Sequence, residues 1–235
     1  MKILALDTAT AATTAAVLDT ESGAGHEARD DPAPGARPAH IKYLLGLCER
    51  ALAAAGLSWG QLDRLAVGTG PGTFTGLRIG IAIAQALSRS TGLPLVAVST
   101  LDSLAVAAAG TLPRPAGGGS QAGEAVLAVI DARRGEAFVG APGRYGPAVV
   151  GPSELQPIVH ATGCTLAVGD GALKFRAELE GAGTTVPPTE SPLHRVSALV
   201  HCRLAAELQP APAAAVQPQY LRLPDAELSL RGDGH

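Results

Sequence analysis

Two short apolar runs, Ile3 to Leu6 and Thr14 to Leu18, read as paired strands joined by a small-residue turn from Thr8 to Thr13. Between Glu21 and Pro38 the chain is rich in Gly, Ala and Pro, and a third strand is only faintly patterned there. The period then changes. From His40 to Ala55, the residues Ile41, Leu44, Leu45, Cys48, Ala51, Leu52 and Ala55 recur at helical spacing on one face, Leu47 widens that face, and Gly56 ends the helix. Arg64 to Val67 predicts a strand feeding a glycine-rich turn, followed by a helix from Gly76 to Ser90 and a strand from Leu93 to Val98. Strand, helix, strand in that order is the pattern of a parallel crossover.

Pro113, Pro115 and Gly117 to Gly119 exclude regular structure from 110 to 123. That segment sets a boundary between an N-terminal domain, 1–109, and a smaller C-terminal domain, 110–235. In the second half, Ala125 to Ile130 and Glu136 to Val139 predict strands around a turn at Asp131 to Gly135. Leu166 to Val168 predicts another strand, and Val196 to Leu208 a helix. The tail from Ser229 to His235 is expected to be disordered, and Tyr220-Leu-Arg222 before it to pack.

The glycine-rich turn and its helix invite a nucleotide reading, which spacing removes. A Walker loop needs a lysine to neutralise phosphate charge, and the stretch from Val67 to Leu87 has none. A dinucleotide fingerprint needs a third glycine for close helix–strand packing, but both registers, from Gly68 and from Gly70, end in threonine, at Thr73 and Thr75. What remains is a turn whose glycines permit positive φ or close backbone approach, with Thr75 as the expected N-cap. In the helix, Gly76, Gly80, Ala84 and Ser88 recur every four residues as a ridge of small side chains. Apolar residues flank the ridge on most sides, so the helix is expected to be buried on most sides, by its own domain or by a partner.

Gly70-Pro-Gly-Thr-Phe-Thr-Gly-Leu-Arg-Ile-Gly80 closely resembles the signature of the TsaB family, the accessory subunit of bacterial tRNA threonylcarbamoyladenosine synthesis. Further matches follow in family order: Ile3 to Thr10, His40 at a helix start, Val98 to Ala105, Ile130 to Glu136 and Gln219 to Glu227. Residues 19–37, 110–123 and 141–163 carry little of it. The resemblance implies an α/β fold of two ribonuclease-H-like domains, as in the actin, sugar-kinase and Hsp70 ATPase superfamily, the second reduced. It also implies a non-catalytic role, pairing with the paralogue TsaD and joined by the ATPase TsaE, in transfer of threonylcarbamoyl to the adenosine beside the tRNA anticodon. ATP and metal would belong to those partners, and tRNA would be met through the complex with little direct contact. The implied pairing surface is the two helices of the first domain, here through Ile41, Leu44, Leu45, Cys48, Leu52, Gly76, Leu77, Gly80, Ile81 and Ala84. The same helices would form a homodimer when the chain is alone.

Composition fits a soluble chain of a reducing cytoplasm. It is 46% hydrophobic over 235 residues, enough for a good core. Cys48, Cys164 and Cys202 are odd in number and lack C-x-x-C spacing, so neither a disulfide framework nor a zinc knuckle is indicated. Asp7 interrupts the opening apolar run too early for a signal peptide, and no run is long enough to span a membrane. A net charge of −3 and 3% aromatic residues argue against a main nucleic-acid surface.

In active superfamily members the hairpin turns hold phosphate and carboxylates hold magnesium. Here the turns read Asp7-Thr-Ala-Thr-Ala-Ala and Asp131-Ala-Arg-Arg-Gly, and both are degraded as phosphate cradles. Asp7, Thr8, Asp131, Arg133, Gly169 and Gly171 would mark a vestigial nucleotide cleft. Asp7 and Asp131 read first as strand-end carboxylates bonding their own turns. Gly169-Asp-Gly-Ala172 stays open between an adenosine contact and a strand-to-helix turn. The H-x-x-x-H pair of TsaD is absent, since Leu44 stands four residues after His40, and the other histidines are scattered. No G-x-S-x-G elbow is present. An active small-molecule kinase or ATPase, and a metal-dependent peptidase, are the competing readings.

Overall fold

The computed structural model describes residues 1–33, 35–110 and 125–222. The expectations for the 110–123 linker and for the tail after Arg222 therefore lie almost wholly outside the described residues. The first sheet contains β1 (Lys2–Asp7), β2 (Thr13–Asp19), β3 (Gly25–Asp30), β4 (Arg64–Gly70) and β5 (Leu95–Ser99), in the order β3-β2-β1-β4-β5. Strands β1, β2 and β3 pair antiparallel, whereas β4 pairs parallel to both β1 and β5. The parallel pairs need crossovers, and α2 (Phe74–Thr91) supplies the one between β4 and β5; α1 (His40–Ala54) lies beside it.

A second sheet repeats this order without a full fifth strand. It contains β6 (Val126–Arg133), β7 (Glu136–Ala141), β8 (Tyr145–Val150) and β9 (Leu166–Val168), ordered β8-β7-β6-β9. Where β5 would repeat, a single parallel bridge from Leu166 to Thr185 remains. Its outer helices are α4 (Pro152–Thr162), α5 (Asp170–Lys174) and α6 (Arg176–Gly181).

Both faces of the first sheet are apolar, because side chains of period two go to opposite sides and each side meets helices. Leu4, Leu6, Val17, Leu65, Val67 and Leu95 face Leu44, Leu47, Cys48, Leu52 and Ile81 of α1 and α2. Ile3, Ala5, Ala16, Ala66, Val96 and Val98 face Ala198, Cys202 and Ala205 of α7 (Ala198–Glu207). On the second sheet, Val126, Ala128 and Ile130 face Leu101, Leu104 and Ala108 of α3 (Thr100–Ala109). Thus α3, from the first half, packs on the second sheet, and α7, from the second half, packs on the first. We keep 1–109 and 110–235 as a proposed division of the chain, which this exchange of helices crosses in both directions.

Several elements differ from the pattern-based expectation. Helix α2 starts at Phe74 with Thr73, not Thr75, at the N-cap, and Thr73 makes no side-chain cap bond. Strand β4 runs on through Gly70, since its glycines pair with β5. Helices α3 and α4 and strand β8 carried no clear periodic signal: α3 is nearly all small and apolar, α4 holds Pro157, and β8 holds Gly146 and Pro147.

Candidate functional site

Asp7 ends β1 on the side facing α7, the parity it shares with Ile3 and Ala5, and that side decides its partners. Its Oδ1 accepts from the Ala9 N–H at 2.7 Å, which closes its own turn. Its Oδ2 accepts from Thr100 Oγ1 at 2.9 Å and meets His201 Nε2 at 3.0 Å. The other imidazole nitrogen, Nδ1, lies 2.9 Å from Ser103 Oγ and 3.0 Å from the Ser197 carbonyl. Serine, histidine and aspartate in line resemble a proton relay, but Asp7, Ser103 and His201 are 1%, 1% and 0% exposed. None of the three lines a described cavity. Gly68, on β4, makes the arrangement fit: a Cβ there would collide with Asp7 Oδ2 and stand 2.9 Å from His201 Nε2.

In the sequence His201 stands only as one of several scattered histidines; the structure makes it the buried partner of Asp7. Thr100 and Gly68 were likewise missed. The parity of β1 together with the helical period of α7 was the available signal, hidden because 194 residues separate the pair.

The turn after β1 is held from its other side by α2. Thr8 Oγ1 donates to the Gly76 carbonyl at 2.7 Å, and the Thr73 N–H donates to the Ala9 carbonyl at 2.7 Å. A Cβ at Gly76 would run into the Thr8 carbonyl, and one at Gly80 into Thr8 Oγ1. Gly76 and Gly80 of the small-residue ridge therefore seat the protein's own hairpin turn.

This corrects the expected pairing surface. Leu44, Cys48, Leu52, Leu77, Ile81 and Ala84 are at most 4% exposed, and Gly76 and Gly80 are buried with them. They turn inward because they are the apolar stripe that covers the sheet. Ile41 and Leu45 do face outward, at 74% and 48% exposure. On α2 the outward positions are Thr75, Arg78, Ala82, Ala86 and the last turn from Arg89 to Thr91, with Ile79 and Ile83 half-buried beside them.

The turn after β6 is built differently. Asp131 Oδ1 accepts from the Arg133 N–H at 2.9 Å and from Lys174 Nζ at 2.6 Å, and Arg133 Nη1 stands 3.3 Å from Oδ2. Gly169 and Gly171 lie so close to β6 that a Cβ on the first would strike the Val129 carbonyl, and one on the second would come within 2.7 Å of the Ile130 carbonyl carbon. Close strand-to-helix packing thus accounts for both glycines. Between them Asp170 accepts from the Asp131 N–H at 3.0 Å, and burial pushes its carboxyl above the usual range.

As a set, the vestigial-cleft residues share none of the described cavities. Beside Thr10, Ala11, Asp170 and His194 the open space is about 160 Å³, below the roughly 300–1,000 Å³ of ligand pockets, and neither Asp7, Thr8, Asp131 nor Arg133 lines it. Asp131 and Arg133 face a second, larger hollow.

Other reactive groups are similarly enclosed. Burial pushes the Cys48 thiol up to about 12 and raises those of Cys164 and Cys202, so none supplies a thiolate near neutral pH. His40 bonds Thr13 Oγ1 at 2.8 Å, and burial lowers its pKa. Among the described residues no three His, Cys, Asp or Glu side chains gather as metal ligands, and no helix is long and apolar enough to cross a membrane.

Two sheets of one strand order, each opened by an antiparallel hairpin, with α3 and α7 exchanged between them, define the duplicated ribonuclease-H-like fold of the actin, sugar-kinase and Hsp70 ATPase superfamily. A family model described as TsaD, tRNA N6-adenosine threonylcarbamoyltransferase, matches residues 34–150. The E. coli tRNA threonylcarbamoyladenosine biosynthesis protein TsaB is 37% identical over 59% of this chain and 53% of its own length. Rv3421c of Mycobacterium tuberculosis, an uncharacterized protein, is 35% identical over 96% of this chain and 93% of its own. The solved structure of YeaZ from Pseudomonas aeruginosa, 26% identical, superimposes with a TM-score of 0.70 over 94% of this chain and 99% of that one. The chain belongs to the TsaB family. It spans about half the length of the first curated relatives it matches, 52% to 56%.

Proposed function

We propose that this chain is the non-catalytic subunit of an assembly that forms threonylcarbamoyladenosine in tRNA, pairing with a TsaD-type subunit in the cytoplasm. The observation that carries the non-catalytic part is the enclosure of Asp7. The carboxylate where active superfamily members hold magnesium is buried, its near partners among the described residues come from the chain itself, and it lines none of the described cavities. The names of its TsaB relatives supply the pathway. Transfer chemistry, metal and ATP then belong to the TsaD and TsaE partners, and tRNA is met mainly through TsaD.

For the pairing surface we keep the two helices but turn them over. Ile41 and Leu45 on α1, with Ile79, Ala82, Ile83 and Ala86 on α2, present the apolar outer face that a partner or a second copy would cover. The role is tested by reconstituting threonylcarbamoyl transfer from purified TsaD, TsaE and threonylcarbamoyl-adenylate, with and without this chain. Transfer that needs the chain, with none from the chain alone, supports the reading. Transfer undiminished without it, or nucleotide turnover by the chain alone, refutes it.

A further inference from the structure

The chain has only three phenylalanines, three tyrosines and one tryptophan. Phe175 and Tyr145 pack in the core of the second half, Trp59 packs against that of the first, and Tyr43 lies exposed on α1. Phe74, Phe138 and Tyr220 instead meet around one hollow of about 400 Å³, between the first turn of α2, strand β7 and the strap Gln219 to Arg222. Three segments distant in sequence thus bring three rings to one place. Gly169 and Gly171 do not line it, so it is separate from the adenosine contact left open by the sequence.

Two of the rings form a wall that the fold does not cover: Phe74 is half-buried and Tyr220 is exposed. The Arg78 guanidinium lies 3.8 Å over the Phe74 ring, and the Tyr220 ring stands 5.1 Å from it at 30°. Arg78 Nε also donates to the Tyr220 hydroxyl at 3.0 Å. Cation and rings therefore hold one another in a stack set before anything binds, which lowers the ordering cost of adding another flat group. Other bonds anchor the strap on both sides of Tyr220. Gln85 Nε2 donates to the Val216 carbonyl at 2.9 Å, the Gln219 N–H donates to the Thr69 carbonyl at 2.8 Å, and Arg222 pairs with Glu136 at 2.8 Å.

Neutral polar groups stand beside the rings. Thr73 makes no side-chain cap bond, and among the described residues neither its hydroxyl, nor that of Thr75, nor the Gln219 side-chain amide is hydrogen-bonded within the chain. Charge at the far wall is matched by the protein, since Arg133 meets Asp131 at 3.3 Å and Arg222 meets Glu136. A ligand here is read by a flat face and a polar edge.

We propose that this hollow binds a nucleobase, stacked on Tyr220 and Phe74, with Thr73, Thr75 and Gln219 bonding its edge. A base carries a π-face together with a rim of donors and acceptors, whereas an aliphatic ligand would leave the hydroxyls and the amide unpaired. A volume of about 400 Å³ suits a nucleoside, and a net charge of −3 on the whole chain favours a free nucleoside over an RNA strand as its source. The site goes beyond the pairing role and does not depend on it.

The test titrates the full-length chain calorimetrically with adenosine, and in parallel with ribose 5-phosphate and a short oligoadenylate. Saturable adenosine binding tighter than about 1 mM is expected, with ribose 5-phosphate at least about tenfold weaker. Tyr220→Leu and Phe74→Leu, each with a circular dichroism spectrum like that of wild type, are expected to weaken adenosine at least about fivefold. Tyr220→Phe keeps the ring and loses only the bond from Arg78, and is expected to bind within about threefold of wild type. Oligoadenylate no tighter than adenosine supports the free nucleoside as source; tighter, salt-dependent oligoadenylate binding that is lost in Tyr220→Leu supports the same base site filled from RNA. The proposal is overturned by the absence of saturable adenosine binding, by ribose 5-phosphate binding as tightly as adenosine, or by folded leucine variants that bind as wild type.

Discussion

The turn after β1 and the turn after β6 hold the same place in two sheets of the same strand order, yet their surroundings are opposite. Asp7 is sealed: its oxygens meet Ala9, Thr100 and His201, and its turn is docked on the glycine ridge of α2. Asp131 is 14% exposed in its side chain, meets two cations at the surface, and borders an arginine-lined hollow. The difference comes from the helix above each turn. Helix α7 brings a histidine down onto Asp7, whereas nothing among the described residues caps the hollow beside Asp131. Packing closed one of two equivalent corners and left the other beside an arginine-lined hollow.

The comparison breaks most sharply at His201. Replacing it by leucine leaves Asp7 charged, buried and short of a partner, and is expected to cost about 3–5 kcal/mol in urea denaturation. The matching change at the open corner, Asp131→Asn, removes half-exposed ion pairs and should cost less than about 1 kcal/mol. Equal losses at the two corners would refute the contrast. Gly68→Ala comes next, because its methyl would occupy the space of Asp7 Oδ2; overpacking of this kind is expected to cost about 1–3 kcal/mol, read as a lower urea midpoint at unchanged m-value. A midpoint like that of wild type would mean that Asp7 has room to move.

The smallest expected effect concerns Asp170, beneath the open corner. Its folded pKa is raised by burial, so its charged form destabilises the fold above that pKa, and the penalty fades as pH falls through it toward the ordinary carboxylate value. Asp170→Asn should therefore melt at or slightly above wild type at pH 7, with the difference shrinking on acidification. A variant that melts lower at pH 7, by a margin that narrows only as pH rises, would reverse the sign.

Much of this was legible in the residues because strands and helices announce themselves by period. Runs such as Ile3 to Leu6 and the stripe Leu44, Cys48, Ala51, Leu52 gave their elements directly. The faint strand between Glu21 and Pro38 is real, at Gly25–Asp30, but sits at a sheet edge where only Ala28 is fully buried. Which face of a helix meets the protein's own sheet and which meets a partner was not legible. Gly76 and Gly80 allow close approach by anything, and only the fold shows that Thr8 makes it. Likewise a lone histidine carries no sign of its partner until α7 crosses back to the first sheet.

The central claim is that Asp7 holds the fold and performs no chemistry. Asp7→Asn keeps the shape and the acceptor toward Ala9 while removing the charge, so the measurement is the rate of threonylcarbamoyl transfer by the reconstituted assembly carrying that variant, per folded complex. The account predicts a rate within about twofold of wild type, alongside a lower melting temperature. A fall of about 100-fold or more with the fold and assembly intact, the scale of a lost acid–base group, would contradict it.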